Sequence, residues 1–144
     1  MTPARGRPGS ITLVDTSVAV ALVVTGHEAN LMVTDALQDK TLGLAGHASF
    51  ETYSVLTRLP APARRSASDV ARLLAQNFPE TKFLSEQAQR SLLQRLSQLG
   101  VSGGSVYDAL IGETARVHHL RLATRDQRAV PAYRALDIDF DFLE

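Results

Sequence analysis

The chain has 144 residues, 44% of them hydrophobic and 21% charged, with 15 basic residues against 15 acidic ones. This composition suits one globular domain with a real core and excludes a disordered chain, and the zero net charge gives no electrostatic case for a polyanionic partner. Cysteine is absent, which excludes disulfides, thiolate zinc sites and cysteine nucleophiles and fits a cytoplasmic protein. No apolar run approaches the roughly 20 residues of a membrane helix. The longest, Val18 to Val24, lacks the basic flank and cleavage pattern of a secretory signal.

Met1 to Ser10, rich in Pro, Gly and Arg, reads as a loose lead-in, leaving residues 11–144 as a single domain. Ile11 to Val14 is a short β-branched run that ends at Asp15-Thr16-Ser17, as a buried strand entering a capped helix would. Val18 to Val24 is apolar all round and predicts a buried helix, stopped by Thr25-Gly26. A helical pattern then covers His27 to Gln38, and Thr41 to Ala45 predicts a second strand. Helices follow from about Gly46 to Leu59, ended by prolines, and from about Ser66 to before Pro79. Thr81 to Leu84 predicts a third strand. Ser85 caps a helix with the stripe Ala88, Leu92, Leu96 and Leu99. Beyond the loop Gly100 to Gly104, a helix runs from Ser105 to about His118, a fourth strand from Leu120 to Thr124, and a short helix from Val130 to Leu136. Ile138 to Phe142 predicts a last strand. Short apolar strands alternating with helices predict an α/β fold with a central parallel sheet covered on both faces.

Ligands of open parallel sheets gather at the carboxyl ends of the strands. Asp15 directly follows the first strand, and Asp126 follows the fourth in Ala123-Thr124-Arg125-Asp126. Glu51 and Asp108 interrupt apolar helix openings and can reach the same edge. Each acid alone has an ordinary explanation as a cap, a turn residue or a first-turn acid favoured by the helix dipole. Together they imply more. Carboxylates about 4 Å apart repel by roughly 4 kcal/mol per pair at an effective dielectric near 20. A fold keeps such a cluster when protons or cations compensate it, and hard divalent cations with oxygen ligands meet that need. The chemistry implied is hydrolysis of a phosphodiester by water. With four of the 15 acids assigned to this role, the remainder are outnumbered by the 15 basic residues.

At these residues the chain resembles the PIN domain, and within it the VapC toxins of bacterial toxin–antitoxin pairs. The resemblance rests on Val14-Asp15-Thr16-Ser17-Val18, on Ser49 to Arg58 (SFETYSVLTR), on Val106-Tyr107-Asp108-Ala109-Leu110-Ile111, on Ala123 to Asp126, and on Tyr133 to Ile138. It spans about Leu13 to Leu143. It implies a three-layer α/β/α sandwich and a magnesium- or manganese-dependent endoribonuclease. It also implies that Asp15, Glu51, Asp108 and Asp126 are the catalytic and metal-binding quartet, with Ser17 and Thr124 as supports that orient it. A homodimer and inhibition by a cognate VapB-type antitoxin lying across the groove are implied as well.

Arg125 adjoins Asp126 and is the strongest candidate for an RNA phosphate among Arg58, Arg64, Arg65, Arg116, Arg121, Arg125 and Arg128. His47, His118 and His119 share no metal-ligand spacing with the quartet and read as surface or capping residues. Tyr107 reads as packing. Asp137, Asp139, Asp141 and Glu144 read as an exposed strand face. The Gly100 to Gly104 loop does not follow a strand and lacks a P-loop lysine, which argues against phosphate cradling. Two other functions stay open: a non-catalytic binding module of the same fold, and phosphoryl transfer through Asp15 as nucleophile. Ser17 stands where such phosphotransferases usually carry a second aspartate, which counts against the latter.

Overall fold

The computed structural model describes residues 9–144. Met1 to Pro8 of the expected lead-in lie outside the described residues. Gly9 and Ser10 are not loose: the Gly9 amide donates to Asp39 O, and Ser10 O accepts from the Thr41 amide at 3.0 Å. The elements are β1 (Ile11–Val14), α1 (Thr16–Val23), α2 (Asn30–Leu37), β2 (Thr41–Leu44), α3 (Ala48–Thr57), α4 (Ala67–Asn77), α5 (Glu86–Arg95), α6 (Ser105–Val117), β3 (Arg121–Thr124), α7 (Val130–Ala135) and β4 (Phe140–Phe142). The strands form one parallel sheet in the order β2-β1-β3-β4, with Val14 opposite Leu44 on one side and Ala123 on the other.

The period of two along the strands sends alternate residues to opposite faces. Leu13 and Leu122 join Ala109, Ile111 and Ala115 of α6, Leu92 of α5 and Tyr133 of α7 in one core. Val14, Ala123, Leu42 and Leu44 join Val18, Ala19 and Ala21 of α1 and Val33 and Leu37 of α2 in the other. Helices therefore cover both faces of the sheet, as the α/β/α expectation required.

The expected strand Thr81 to Leu84 does not form; it is reduced to a single parallel bridge between Ala45 and Lys82. Thr81 explains this. Its hydroxyl accepts the Leu44 amide at 2.9 Å and donates to Phe78 O, taking a place that a backbone carbonyl fills in a continuous ladder. The segment still presses on β2, where the Glu80 amide donates to Leu42 O at 3.0 Å and the Lys82 amide to Leu44 O at 3.2 Å. This close approach requires glycine at position 43, since a Cβ there would stand 2.0 Å from Glu80 O.

Other boundaries shift for identifiable reasons. The second helix starts at Asn30 rather than His27 because Asn30 Nδ2 donates to Ala21 O and Leu22 O, both at 3.0 Å, satisfying carbonyls at the end of α1. The last strand is shortened because Asp137 adopts a φ of +59°, which turns the chain before Phe140. Asp141 is not a free surface acid: Arg121 grips it at 2.7 and 3.0 Å across β3 and β4. Arg116 is likewise committed, to Glu113 at 2.5 and 2.9 Å, and Arg95 of α5 also reaches that carboxylate. Arg116 and Arg121 are thus structural, not candidates for phosphate.

Gly43→Ala is expected to lower stability by about 1–3 kcal/mol or more, because the obstructing atom is backbone. Chemical denaturation checks this, and an unchanged midpoint would mean the 80–82 segment is free to move off β2.

Candidate active site

The adjacency of β1 and β3 places residues 15 and 124 side by side at the carboxyl edge of the sheet, with the Asp15 amide donating to Ala123 O at 3.2 Å. Asp15 caps α1 through its carboxylate, which accepts the Val18 amide at 3.3 Å, and the residue is 3% exposed. Three hydroxyls converge on it. Ser17 Oγ donates to Oδ1 at 2.6 Å, Thr124 Oγ1 donates to Oδ2, and Tyr133 O–H donates to Oδ2 at 2.9 Å.

Two of these hydroxyls also accept. Ser17 Oγ takes the Arg125 amide at 2.8 Å, and Thr124 Oγ1 takes the Asp126 amide at 3.1 Å. The same bonds that orient Asp15 therefore fix the turn carrying Asp126. Asp126 Oδ1 accepts the Arg128 amide at 3.0 Å, which shapes that turn further.

Glu51 lies in the first turn of α3 and Asp108 in the first turn of α6, both half-buried. Burial and then the charges of Asp126, Glu51 and Asp15 push the Asp108 carboxyl up to about 6, against a small lowering by Arg128. Glu51 is raised by burial; His47 lowers it, and Asp15 and Asp126 raise it. Burial raises Asp15 against the lowering effect of its hydrogen bonds. The four acids thus share one electrostatic environment. Glu113 shows the contrast: burial raises it too, but Arg116 and Arg95 outweigh that and hold it below its ordinary value. Two arginines close around that carboxylate, whereas the basic groups beside the quartet are His47 at Glu51 and Arg128 at Asp126, each at 3.6 Å.

Among the described residues, no group of three or more His, Asp or Glu side chains is arranged to hold a metal ion unaided. An all-oxygen set of this kind suits magnesium, which keeps several waters and takes only one or two carboxylates directly.

His47, expected as a surface or capping residue, occupies the N-cap position of α3 without a side-chain capping bond. Its ring stacks on Tyr107 with centroids 5.0 Å apart, and Nε2 stands 3.6 Å from Glu51 Oε1. Tyr107 is 53% exposed and packs on His47, not in the core. His118 and His119 lie in the turn before β3, at the opposite edge of the sheet from Asp126. Sequence reasoning missed Tyr133, which is fully buried. The available signal was that a buried tyrosine hydroxyl needs a partner. Arg125 sends its amide to Ser17, and its Nε is buried without a hydrogen-bond partner. Beside it opens a cleft of about 590 Å³, lined by Arg125, Asp126, Arg128 and Phe142 among others.

This is the architecture of a PIN domain, and the PIN domain model matches residues 12–135. The chain belongs to the PIN-domain family. It is 43% identical over 125 residues to ribonuclease VapC27 of Mycobacterium tuberculosis, covering 87% of this chain and 91% of that protein. It is 40% identical over 131 residues to ribonuclease VapC40 of the same species, covering 90% and 96%. Its fold is similar to VapBC2 from Rickettsia felis, solved bound to a DNA fragment from their promoter, with a TM-score of 0.67 at 14% identity over 93% of this chain and 99% of that one. It is also similar to FitAcB from Neisseria gonorrhoeae, with a TM-score of 0.62 at 20% identity over 90% and 95%.

A carboxyl group whose folded value lies above its ordinary 3.8 binds its proton more tightly in the native state than in the unfolded chain. The stabilisation from Asp108 is therefore full below 3.8 and lost as pH rises through about 6. In chelator, the melting temperature is expected to decline across that interval, and Asp108→Asn is expected to flatten the decline. An equally steep decline in the variant would show that Asp108 is not held in the acidic cluster.

Proposed function

We propose that this chain is a divalent-cation-dependent endoribonuclease that hydrolyses RNA phosphodiester bonds and acts as the toxin of a VapBC-type toxin–antitoxin pair. The observation that carries the reading is the acidic cluster at the carboxyl edge of the sheet, only partly offset by His47 and Arg128, in which burial and Asp126, Glu51 and Asp15 push Asp108 up to about 6. The similarity over most of the chain to proteins named ribonuclease VapC27 and VapC40 supports RNA as the substrate.

Asp15, Glu51, Asp108 and Asp126 would hold Mg²⁺ or Mn²⁺, which when bound supplies an activated water and polarises the scissile phosphoryl group. Ser17 and Thr124 keep the Asp15 carboxylate and the Asp126 turn in a fixed relation before substrate arrives. RNA would lie along the cleft beside Asp126, where Arg125 and the largely exposed Arg128 offset phosphate charge. His47, stacked on Tyr107, stands 3.6 Å from Glu51 and would steady that carboxylate.

A nucleophilic Asp15 is disfavoured, since its carboxylate is buried and accepts four hydrogen bonds. Exposed Phe50, Phe83 and Leu93 offer apolar surface for a protein partner, which the proposal assigns to a VapB-type antitoxin and to a second copy of the chain. No helix among the described residues is long and apolar enough to cross a membrane, and the proposal places the protein in the cytoplasm.

Purified protein is expected to cleave single-stranded RNA with Mg²⁺ or Mn²⁺ and to stop in excess chelator. Asp15→Asn is expected to slow cleavage roughly 100-fold or more, since losing several kcal/mol of charge stabilisation costs a factor of ten for each 1.36 kcal/mol. Undiminished cleavage in chelator would overturn the reading.

A further inference from the structure

The carboxyl edge of the sheet continues past Asp15 and Thr124 to β4, its edge strand. The parallel register sets Phe142 opposite Thr124, and the Leu143 amide donates to Thr124 O at 2.9 Å, so residues 142 and 143 lie beside the turn that carries Asp126. Ile138 and Phe140 belong to the core under α6, and Leu143 packs against the core under α1. Of the apolar residues from Ile138 to Leu143, Phe142 alone packs into neither. It lines instead the cleft of about 590 Å³, together with Arg125, Gln127 and Arg128. That volume suits a ligand pocket, which commonly holds roughly 300–1,000 Å³.

Two guanidinium groups stand on the same cleft. Arg125 is anchored through its backbone amide, which donates to Ser17 Oγ at 2.8 Å, while its Nε has no acceptor in the protein. The Arg128 side chain is 94% exposed, and its Nε stands 3.6 Å from Asp126 Oδ1, beyond hydrogen-bond distance. Arg116 and Arg121, by contrast, are tied to Glu113 and Asp141. Asp126 and the exposed Glu144 are the acids on the cleft. An aromatic ring outside the core, beside cations with donors to spare, is the combination that binds unpaired nucleotides: the base stacks on the ring and the backbone meets the positive charge.

We propose that this cleft is a nucleotide subsite, in which Phe142 stacks one unpaired base of the RNA while Arg125 and Arg128 hold its phosphate. The inference rests on the reading of the chain as a ribonuclease, since it sets the subsite against Asp126. It narrows the substrate. A base has to leave its helix to lie on Phe142, so single-stranded or looped RNA fits the cleft and continuous duplex does not. Every base has a π-face, so stacking tolerates any of them. Phe142 therefore selects for an unpaired strand, not for a sequence.

The chain contains no tryptophan, so Phe142→Trp supplies a single tryptophan reporter that can still stack. In excess chelator, its fluorescence is expected to be quenched by an oligouridylate of about 10 nucleotides, and not by a blunt RNA duplex or by an abasic strand of equal length. In anisotropy titrations of the labelled strands, Phe142→Ala is expected to weaken oligouridylate binding roughly 10-fold, within the range of one stacked base, and to leave the abasic strand unaffected. Arg128→Gln is expected to weaken both strands alike. Phe142→Leu, apolar but without a π-face, serves if Phe142→Ala does not fold. A ring that merely seals the strand edge would lower the melting temperature on substitution and leave the two strands equally bound or equally weakened; that result, or quenching by the duplex, overturns the subsite. An unquenched Phe142→Trp, where the wild type binds and cuts RNA, overturns the subsite alone. Wild-type protein that neither binds nor cuts RNA overturns the proposed function as well.

Discussion

Everything at the carboxyl edge of the sheet depends on one buried carboxylate being held from several directions. Asp15 ends β1, caps α1, and accepts hydroxyl protons from Ser17, Thr124 and Tyr133. Because Ser17 and Thr124 pass their acceptor sides to the amides of residues 125 and 126, the ends of β1 and β3 cannot move independently. The parallel register between Val14 and Ala123 brings the two ends together, and the hydroxyls lock them. These bonds hold Asp15 and the turn at residues 125 and 126 in a fixed relation without a loop having to close.

The second constraint is electrostatic. Half-buried Glu51 and Asp108 are brought toward Asp15 and Asp126 by the first turns of α3 and α6, where the helix dipole favours negative charge but does not cancel it. The nearby basic groups are few: His47 beside Glu51, and Arg128 beside Asp126. Glu113 shows what the same fold does when a buried acid serves structure alone, since two arginines close around it. Glu51 and Asp126 instead each face one basic side chain at longer range, His47 and Arg128, both at 3.6 Å.

Much of this was legible in the sequence. Asp15 and Asp126 were readable because each directly follows a β-branched or apolar strand, and parallel sheets present their functional edge there. Glu51 and Asp108 were readable only as members of an ordered set, because a first-turn acid has an ordinary explanation by itself. The strand expected at Thr81 to Leu84 failed because one hydroxyl, that of Thr81, replaces a ladder carbonyl, and no periodicity reveals that. Tyr133 was hidden for a different reason. An aromatic residue in a short apolar helix looks like core, which it is, and its hydrogen-bond partner is 118 residues away. The pairing of His47 with Tyr107 was equally invisible, since it joins the openings of two helices far apart in the chain.

The central claim is that four carboxylates, drawn together at one sheet edge, form a divalent-cation site. A crystal structure of the protein grown in Mn²⁺, with data collected at the manganese absorption edge, tests it most directly. An anomalous peak in coordination contact with Asp15 and at least one of Glu51, Asp108 and Asp126 is predicted. Well-ordered side chains in this pocket with no peak among them, or manganese bound only elsewhere on the molecule, would contradict it.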